Sequence, residues 1–202
     1  MRDYLDEPTA SRWSDAELTR YINQGLHQVQ SDIQSANGDY FLRVEVATAA
    51  AGAFELAFPA DIWGNKLRAV YCYENSTVAS GEPHKLSVAP LENVYGNLNV
   101  SGTPQGYAYH AGFIRWFPLL QSNSAFRFIY ALKETAFASG TDVLLQIGDE
   151  HTDCSALYAA IMARGKIGAP INELSSMYTL RMKQIKGDVT PMDPITIPQV
   201  EI

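Results

Sequence analysis

The chain has 202 residues, of which 47% are hydrophobic and 18% charged, and its formal net charge is −7 at pH 7. This length and composition predict a folded protein with a substantial core and exclude a disordered chain. The acidic balance argues against a broad basic surface of the kind that grips nucleic-acid phosphates. We see neither the apolar run of a signal peptide nor the roughly 20 apolar residues that span a bilayer, and therefore expect no membrane partner.

The first predicted element is a long helix. Ser14 followed by Glu17 forms a capping box at its start, and Asn37 with Gly38 predicts a left-handed cap at its end. Apolar residues between these signals recur at steps of three and four, which predicts a single apolar stripe. The stripe consists of Leu18, Ile22, Leu26, Val29 and Ile33.

The middle of the chain changes to a period of two. Seven or so short alternating segments, such as "KLRAVYCY" and "AFRFIYAL", are separated by turn signals such as "SGEP" and "SGTP". They predict an antiparallel β-sandwich or half-closed barrel, interrupted by one short helix over "APLENVYGN". Cys72 lies in this region and Cys154 beyond it, without CxxC spacing, so we predict two buried free thiols and a reducing compartment.

Two helices are predicted near the C-terminus. The first begins near Cys154 with Asp153 as its cap, and the second is capped by Asn172 and stopped by Gly187. The second carries the apolar residues Leu174, Met177, Leu180 and Ile185.

A proline-rich tail follows, "DVTPMDPITIPQVEI" over residues 188–202. Its prolines forbid a helix and favour an extended course, while the apolar residues between them favour contact with another chain. The residues expected to make this contact are Pro191, Pro194, Ile195, Ile197, Pro198 and Val200.

The order of these elements predicts an α+β fold with three parts. Residues 1–40 and 150–187 form a helical bundle, because a lone first helix must bury its stripe against the two C-terminal helices. Residues 41–149 form an inserted β domain, and residues 188–202 form an extended C-terminal tail.

Two stretches raise a chemical alternative. In "GDEHTDC", the side chains of Asp149, Glu150 and His151 are metal-ligand types, but their spacing matches no known metal motif. We interpret the stretch as the polar start of a helix, with a small metal-dependent hydrolase as an alternative. In "YAYHAGFIRWFP", sugar-stacking aromatics would indicate a carbohydrate-binding β module of a tail or fibre protein, although strand aromatics are mostly core residues. Those aromatics are Tyr107, Tyr109, Trp116 and Phe117.

Five stretches together resemble the head-to-tail adaptor, or connector, proteins of tailed bacteriophages. Together with the two closing helices, their order and spacing match along nearly the whole chain, and the first stretch contains the asparagine Asn23. The stretches are "WSDAELTRYINQGLHQVQSDI", "FPADIW", "LRAVYCYEN", "GTPQGYAYHAGFIRWFP" and "YALKE". The proline-rich terminus has no counterpart in this pattern.

The resemblance implies a non-enzymatic structural protein of the virion neck, without cofactors and assembled in the host cytoplasm. It implies a homo-oligomeric, dodecameric ring that docks beneath the portal, extends the DNA channel without specific DNA binding, and offers a platform to tail or neck proteins. Under this hypothesis the stripe of the first helix forms the subunit interface, and the C-terminal tail binds the portal or a neighbouring subunit.

Overall fold

A computed structural model of the protein describes residues 1–6, 12–74, 82–138 and 152–190. The chain divides into two compact units, Met1–Tyr40 with Glu134–Ile202, and Phe41–Lys133. We call the first the helical unit and the second the β unit. The β unit ends at Lys133, earlier than the expected boundary at residue 149. Residues 191–202 of the predicted tail lie outside the described residues.

Helix α1 spans Asp15–Ala36 and begins where its capping signal predicts. The side-chain oxygen of Ser14 accepts a hydrogen bond from the backbone N–H of Glu17 at 3.2 Å, which satisfies one of the free amides at the helix start. The left-handed cap predicted at the other end is wrong, because Asn37 is extended with φ −135° and ψ 100°. Its side-chain amide instead donates to the carbonyl oxygen of Val189 at 2.8 Å.

The described part of the helical unit also contains a 3-10 helix over Arg2–Leu5 and two further helices, α3 (Asp153–Lys166) and α4 (Asn172–Val189). Asp153 and Asn172 are the first helical residues and not the caps, which corrects both predicted starts. Helix α4 also continues through Gly187, the predicted stop. The last turn is held because Val189 is buried and its carbonyl is hydrogen-bonded, so tertiary contacts override a local stop signal.

The apolar stripe of α1 lies in the core of the helical unit. Helix α1 packs along α3 and also contacts α4, which confirms the predicted packing. The stripe is therefore not an exposed surface of the single chain. Leu18, Leu26, Val29 and Ile33 are buried, and Ile22 is half-buried.

Helices α1 and α3 approach each other closely at Gly25. A Cβ atom on Gly25 would stand 2.4 Å from the carbonyl oxygen of Ser155, a separation that real Cβ atoms do not reach. Helix α3 also carries three fully buried alanines, Ala159, Ala160 and Ala163. Small side chains on both helices permit this approach, and a larger one would push the helices apart.

The described residues of the β unit form ten strands and one short helix: β1 (Leu42–Ala49), β2 (Glu55–Ala57), β3 (Ile62–Glu74), β4 (His84–Lys85), β5 (Ser87–Val88), α2 (Leu91–Gly96), β6 (Ser101–Gly102), β7 (Gly106–His110), β8 (Phe113–Phe117), β9 (Leu119–Leu120) and β10 (Ser124–Leu132). The strands form two four-stranded sheets and a two-stranded pair. In the described residues the first sheet has the order β1-β10-β3-β4, and all its pairs are antiparallel. The second has the order β2-β8-β7-β5. The pairs β5–β7 and β6–β9 are parallel, whereas antiparallel pairing was predicted throughout.

The core of the β unit lies between the two larger sheets. In this core, alternate residues of β10, including Phe126 and Tyr130, pack against Ile114 and Trp116 of β8. The rings of Trp116 and Phe126 stack with their centroids 4.3 Å apart. The period-two pattern therefore predicted both the strands and their buried face, and the sheets pack as a sandwich.

We expect Gly25→Ala to destabilise the protein by about 1–3 kcal/mol, because the added methyl group overpacks the backbone of α3. Gly187→Ala is the matched control, since Gly187 is also helical but nothing lies within 4 Å of the added Cβ. We expect the control to gain about 0.5–1 kcal/mol from helix propensity. Urea unfolding followed by circular dichroism measures both, and equal effects of the two substitutions would contradict the close packing at Gly25.

Candidate functional site

Most of the residues considered for metal chemistry lie outside the described part of the chain. Asp149, Glu150 and His151 lie outside the described residues. Asp153 accepts a hydrogen bond from the Arg181 guanidinium at 3.1 Å, which links α3 to α4. Among the described residues no three His, Cys, Asp or Glu side chains are grouped closely enough to hold a metal ion.

Both cysteines are free and buried, as predicted. Burial raises the pKa of the Cys72 thiol and of the Cys154 thiol to about 11. Because the thiolate is the reactive form, both groups are neutral and poorly nucleophilic at pH 7. They serve as small apolar side chains in the two units.

The aromatics considered for sugar binding are mostly packed. Trp116 is fully buried and its indole N–H donates to the carbonyl of Ala53 at 3.1 Å. Tyr107 is buried and Phe117 is half-buried. Tyr109 is 39% exposed, but its ring packs against the Phe58 ring, with an angle of 45° between the two ring planes. These four residues therefore provide no row of open, coplanar rings on which a sugar could stack.

The tryptophan before α1 joins the start of that helix to the end of α3. Trp13 is buried with Ala159 and Ala163, and its ring meets Tyr21 edge-on at a centroid distance of 6.2 Å. The Lys166 ammonium lies 5.4 Å from the Trp13 ring centroid and is paired with Glu17. The hydrogen bond from Lys166 lowers the pKa of the Glu17 carboxyl.

Asn23 binds the chain segment that returns to the helical unit. Its side-chain oxygen accepts from the N–H of Phe137 at 2.7 Å, and its amide nitrogen donates to the carbonyl of Phe137 at 2.9 Å. Two turns further along α1, Gln30 accepts from the N–H of Glu134 at 3.3 Å. The amide of Asn23 thus reproduces the paired bonds of a neighbouring strand, which only a side chain with both a donor and an acceptor can do.

Several apolar side chains of the described residues are exposed outside the cores, and two pairs of them lie close together on one element. On α4, Met177 and Leu180 are 41% and 63% exposed, on a different side of the helix from the buried Leu174 and Ile185. We call Met177 and Leu180 the α4 face. On β1, Val44 and Val46 are 56% and 47% exposed. Exposed apolar groups bordered by polar residues are typical of protein–protein contact surfaces.

A protein-family model described as SU10 adaptor protein matches residues 1–195. The chain belongs to the SU10 adaptor protein family. Membership confirms the resemblance to phage head-to-tail adaptors and indicates a structural protein of the virion that contacts other head and tail proteins. No curated protein matches the chain. In the described residues, no helix is long and apolar enough to cross a membrane.

The sequence predicted only part of what the structure shows at these positions. Asn23 was singled out as part of the family-like stretch, but its hydrogen-bond partner Phe137 is distant in sequence and was not predicted. The α4 face was hidden because Met177 and Leu180 share helical spacing with the buried Leu174. For β1 the alternation was visible, whereas its position at the edge of a sheet was not.

We expect Asn23→Ala to destabilise the adaptor by about 1–3 kcal/mol, because the N–H and carbonyl of Phe137 lose both partners. Gln24→Ala, at the next position and exposed, should stay within about 0.5 kcal/mol of the unchanged protein. Chemical unfolding of the two variants side by side measures the difference. A loss for Gln24→Ala as large as that for Asn23→Ala would contradict the role given to Asn23.

Proposed function

We propose that this member of the adaptor family forms a dodecameric ring that docks beneath the portal, extends the DNA channel and provides the platform for tail attachment. The observation that carries the proposal is the family match over residues 1–195. The exposed apolar residues of both units support it, since a protein that works through contacts with other proteins needs such surfaces. We propose no catalytic role for the chain.

The subunit contact is assigned to the α4 face and not to the stripe of α1. Four of the five stripe residues are buried within one chain, so a sister copy has little access to them. Met177 and Leu180 lie one turn apart on α4 and are exposed, with Arg181 and Lys183 beside them. A small apolar centre with a polar rim has the anatomy of an interface between subunits.

The acidic character of the chain supports passage of DNA without specific binding. A net charge of −7 gives a field that repels phosphates on average, so DNA inside the ring is not held by counterion release. The proline-rich tail is proposed to contact the portal or a neighbouring subunit through Pro191, Pro194, Ile195, Ile197, Pro198 and Val200.

The mass of the particles in solution tests the proposed function. Light scattering on the purified chain, with and without isolated portal rings, gives the number of copies in each complex. A dodecamer on the portal supports the proposal, whether or not the ring forms before docking. A chain that stays monomeric and does not bind the portal would overturn it.

We expect the double substitution Met177→Glu and Leu180→Glu to weaken ring formation tenfold or more, because it places two carboxylates in the subunit contact. Stability of the monomer should change by only about 0.5 kcal/mol per site, since both positions are exposed. Thr179→Glu is the control, because Thr179 is exposed on α4 but points away from the α4 face. Sedimentation at several concentrations measures assembly, and unchanged assembly of the double variant would rule out the α4 face.

A further inference from the structure

Strand β1 forms one edge of the first sheet. In the described residues it pairs with β10 on one side and has no strand on the other. It covers eight residues, Leu42–Ala49. Such an edge presents unpaired N–H and carbonyl groups to any chain that can pair with them.

The register identifies which backbone groups face the open edge. The N–H of Leu132 donates to the carbonyl of Phe41 at 2.8 Å, so these two residues form a hydrogen-bonded pair. In an antiparallel ladder such pairs alternate, and the next ones on β1 are Arg43, Glu45 and Ala47. The intervening residues turn their N–H and carbonyl groups outward. These residues are Leu42, Val44, Val46 and Thr48.

The side chains on one face of β1 are uncharged. Val44, Val46 and Thr48 are exposed on one face of the strand, where no charged residue of β1 interrupts them. The charges of β1 lie on the opposite face. There Arg43 pairs with Asp61 at 2.6 Å, and Glu45 accepts a hydrogen bond from the Tyr130 hydroxyl at 2.8 Å. Charged residues that usually discourage strand addition are thus absent from this face of β1.

The C-terminal tail contains a segment whose prolines would all lie on one edge of an extended strand, which leaves the other edge free to pair with β1. Pro194 and Pro198 are four residues apart, so both backbone nitrogens fall on the same side of an extended chain. The other side, residues 193, 195, 197 and 199, keeps all its N–H donors. A strand formed by this segment can pair fully through one edge, while the prolines block its second edge against further strands.

We propose that residues 193–199 of a neighbouring copy add to β1 as an antiparallel fifth strand of the first sheet. In this register Ile197 lies opposite Val44 and Ile195 opposite Val46, which brings β-branched side chains together on one face. The antiparallel direction continues the pattern of the whole sheet. Strand addition of this kind supplies main-chain hydrogen bonds, with the alternating side chains giving specificity. The inference rests on the proposed assembly of copies, and it names the surface that receives the tail.

Cross-linking between two single-cysteine variants tests the pairing. Val44→Cys and Ile197→Cys are made in separate full-length chains, mixed under assembly conditions with portal rings, and treated with a short bismaleimide. The native cysteines are buried and serve as the internal background. We expect a dimer that forms in the mixture at least tenfold more than in either variant alone.

The proline pattern provides a matched pair of tail variants. In these experiments the cross-link is formed between Ile195→Cys on the tail and Val46→Cys on β1. We expect an additional Ile197→Pro in the tail to reduce this cross-link at least tenfold, because proline removes an N–H donor on the paired edge. Thr196→Pro places the new proline on the outer edge and should leave the cross-link within twofold. Ile197→Thr keeps the N–H and separates loss of the donor from loss of the apolar side chain. Equal losses for the two proline variants would overturn the register.

The same samples separate this inference from the proposed function. Light scattering reports whether rings form, and the gel reports whether the tail lies on β1. Rings without the cross-link would overturn the tail contact and leave the adaptor function standing. Neither rings nor portal binding would overturn the function itself. A doubly substituted chain, Val44→Cys with Ile197→Cys, that cross-links within itself and not to a neighbour would show that the tail adds to its own sheet, which contradicts the proposal.

Discussion

The close approach of α1 and α3 at Gly25 is the constraint on which the helical unit depends. It brings the stripe of α1 against the small residues of α3, and it leaves no space for even one methyl group beside Ser155. Because the stripe is buried by the chain itself, the most apolar surface visible in the sequence is not free for partners. In the proposed ring, contacts with sister copies therefore use the surfaces that this packing leaves outside, which is why the interface is proposed on the α4 face.

The two units offer different kinds of contact. The helical unit offers the exposed apolar side chains of the α4 face, so a contact there depends on apolar burial and tolerates small shifts. The β unit offers the backbone of β1, where hydrogen bonds fix both direction and register. The two proposed contacts complement each other in a ring. The contact at the α4 face buries apolar surface, and the backbone contact at β1 defines how neighbouring copies align.

Local signals in the sequence predicted most of the elements and few of their partners. The cap at Ser14 and the alternation of β10 depend on neighbouring residues, so both were predicted correctly. Helix α1 ends at Asn37 as predicted, but the cap is extended and not left-handed, and α4 continues through the predicted stop at Gly187. Both ends are joined by a hydrogen bond between residues distant in sequence, from Asn37 to Val189, which local signals do not report. Periodicity shows that a helix has an apolar side but not which chain covers it. The stripe of α1 was therefore predicted both to pack in the helical bundle and to form the subunit interface, and it is found in the core of the helical unit.

The central claim is that each chain completes its own core and binds its neighbours through the surfaces outside it. Hydrogen–deuterium exchange, compared between the free chain and the chain assembled on portal rings, tests this most directly. The account predicts that α1 amides are protected equally in both states, while new protection appears at Leu42, Val44, Val46 and Thr48 of β1. New protection along α1 on assembly, with β1 unchanged, would contradict it.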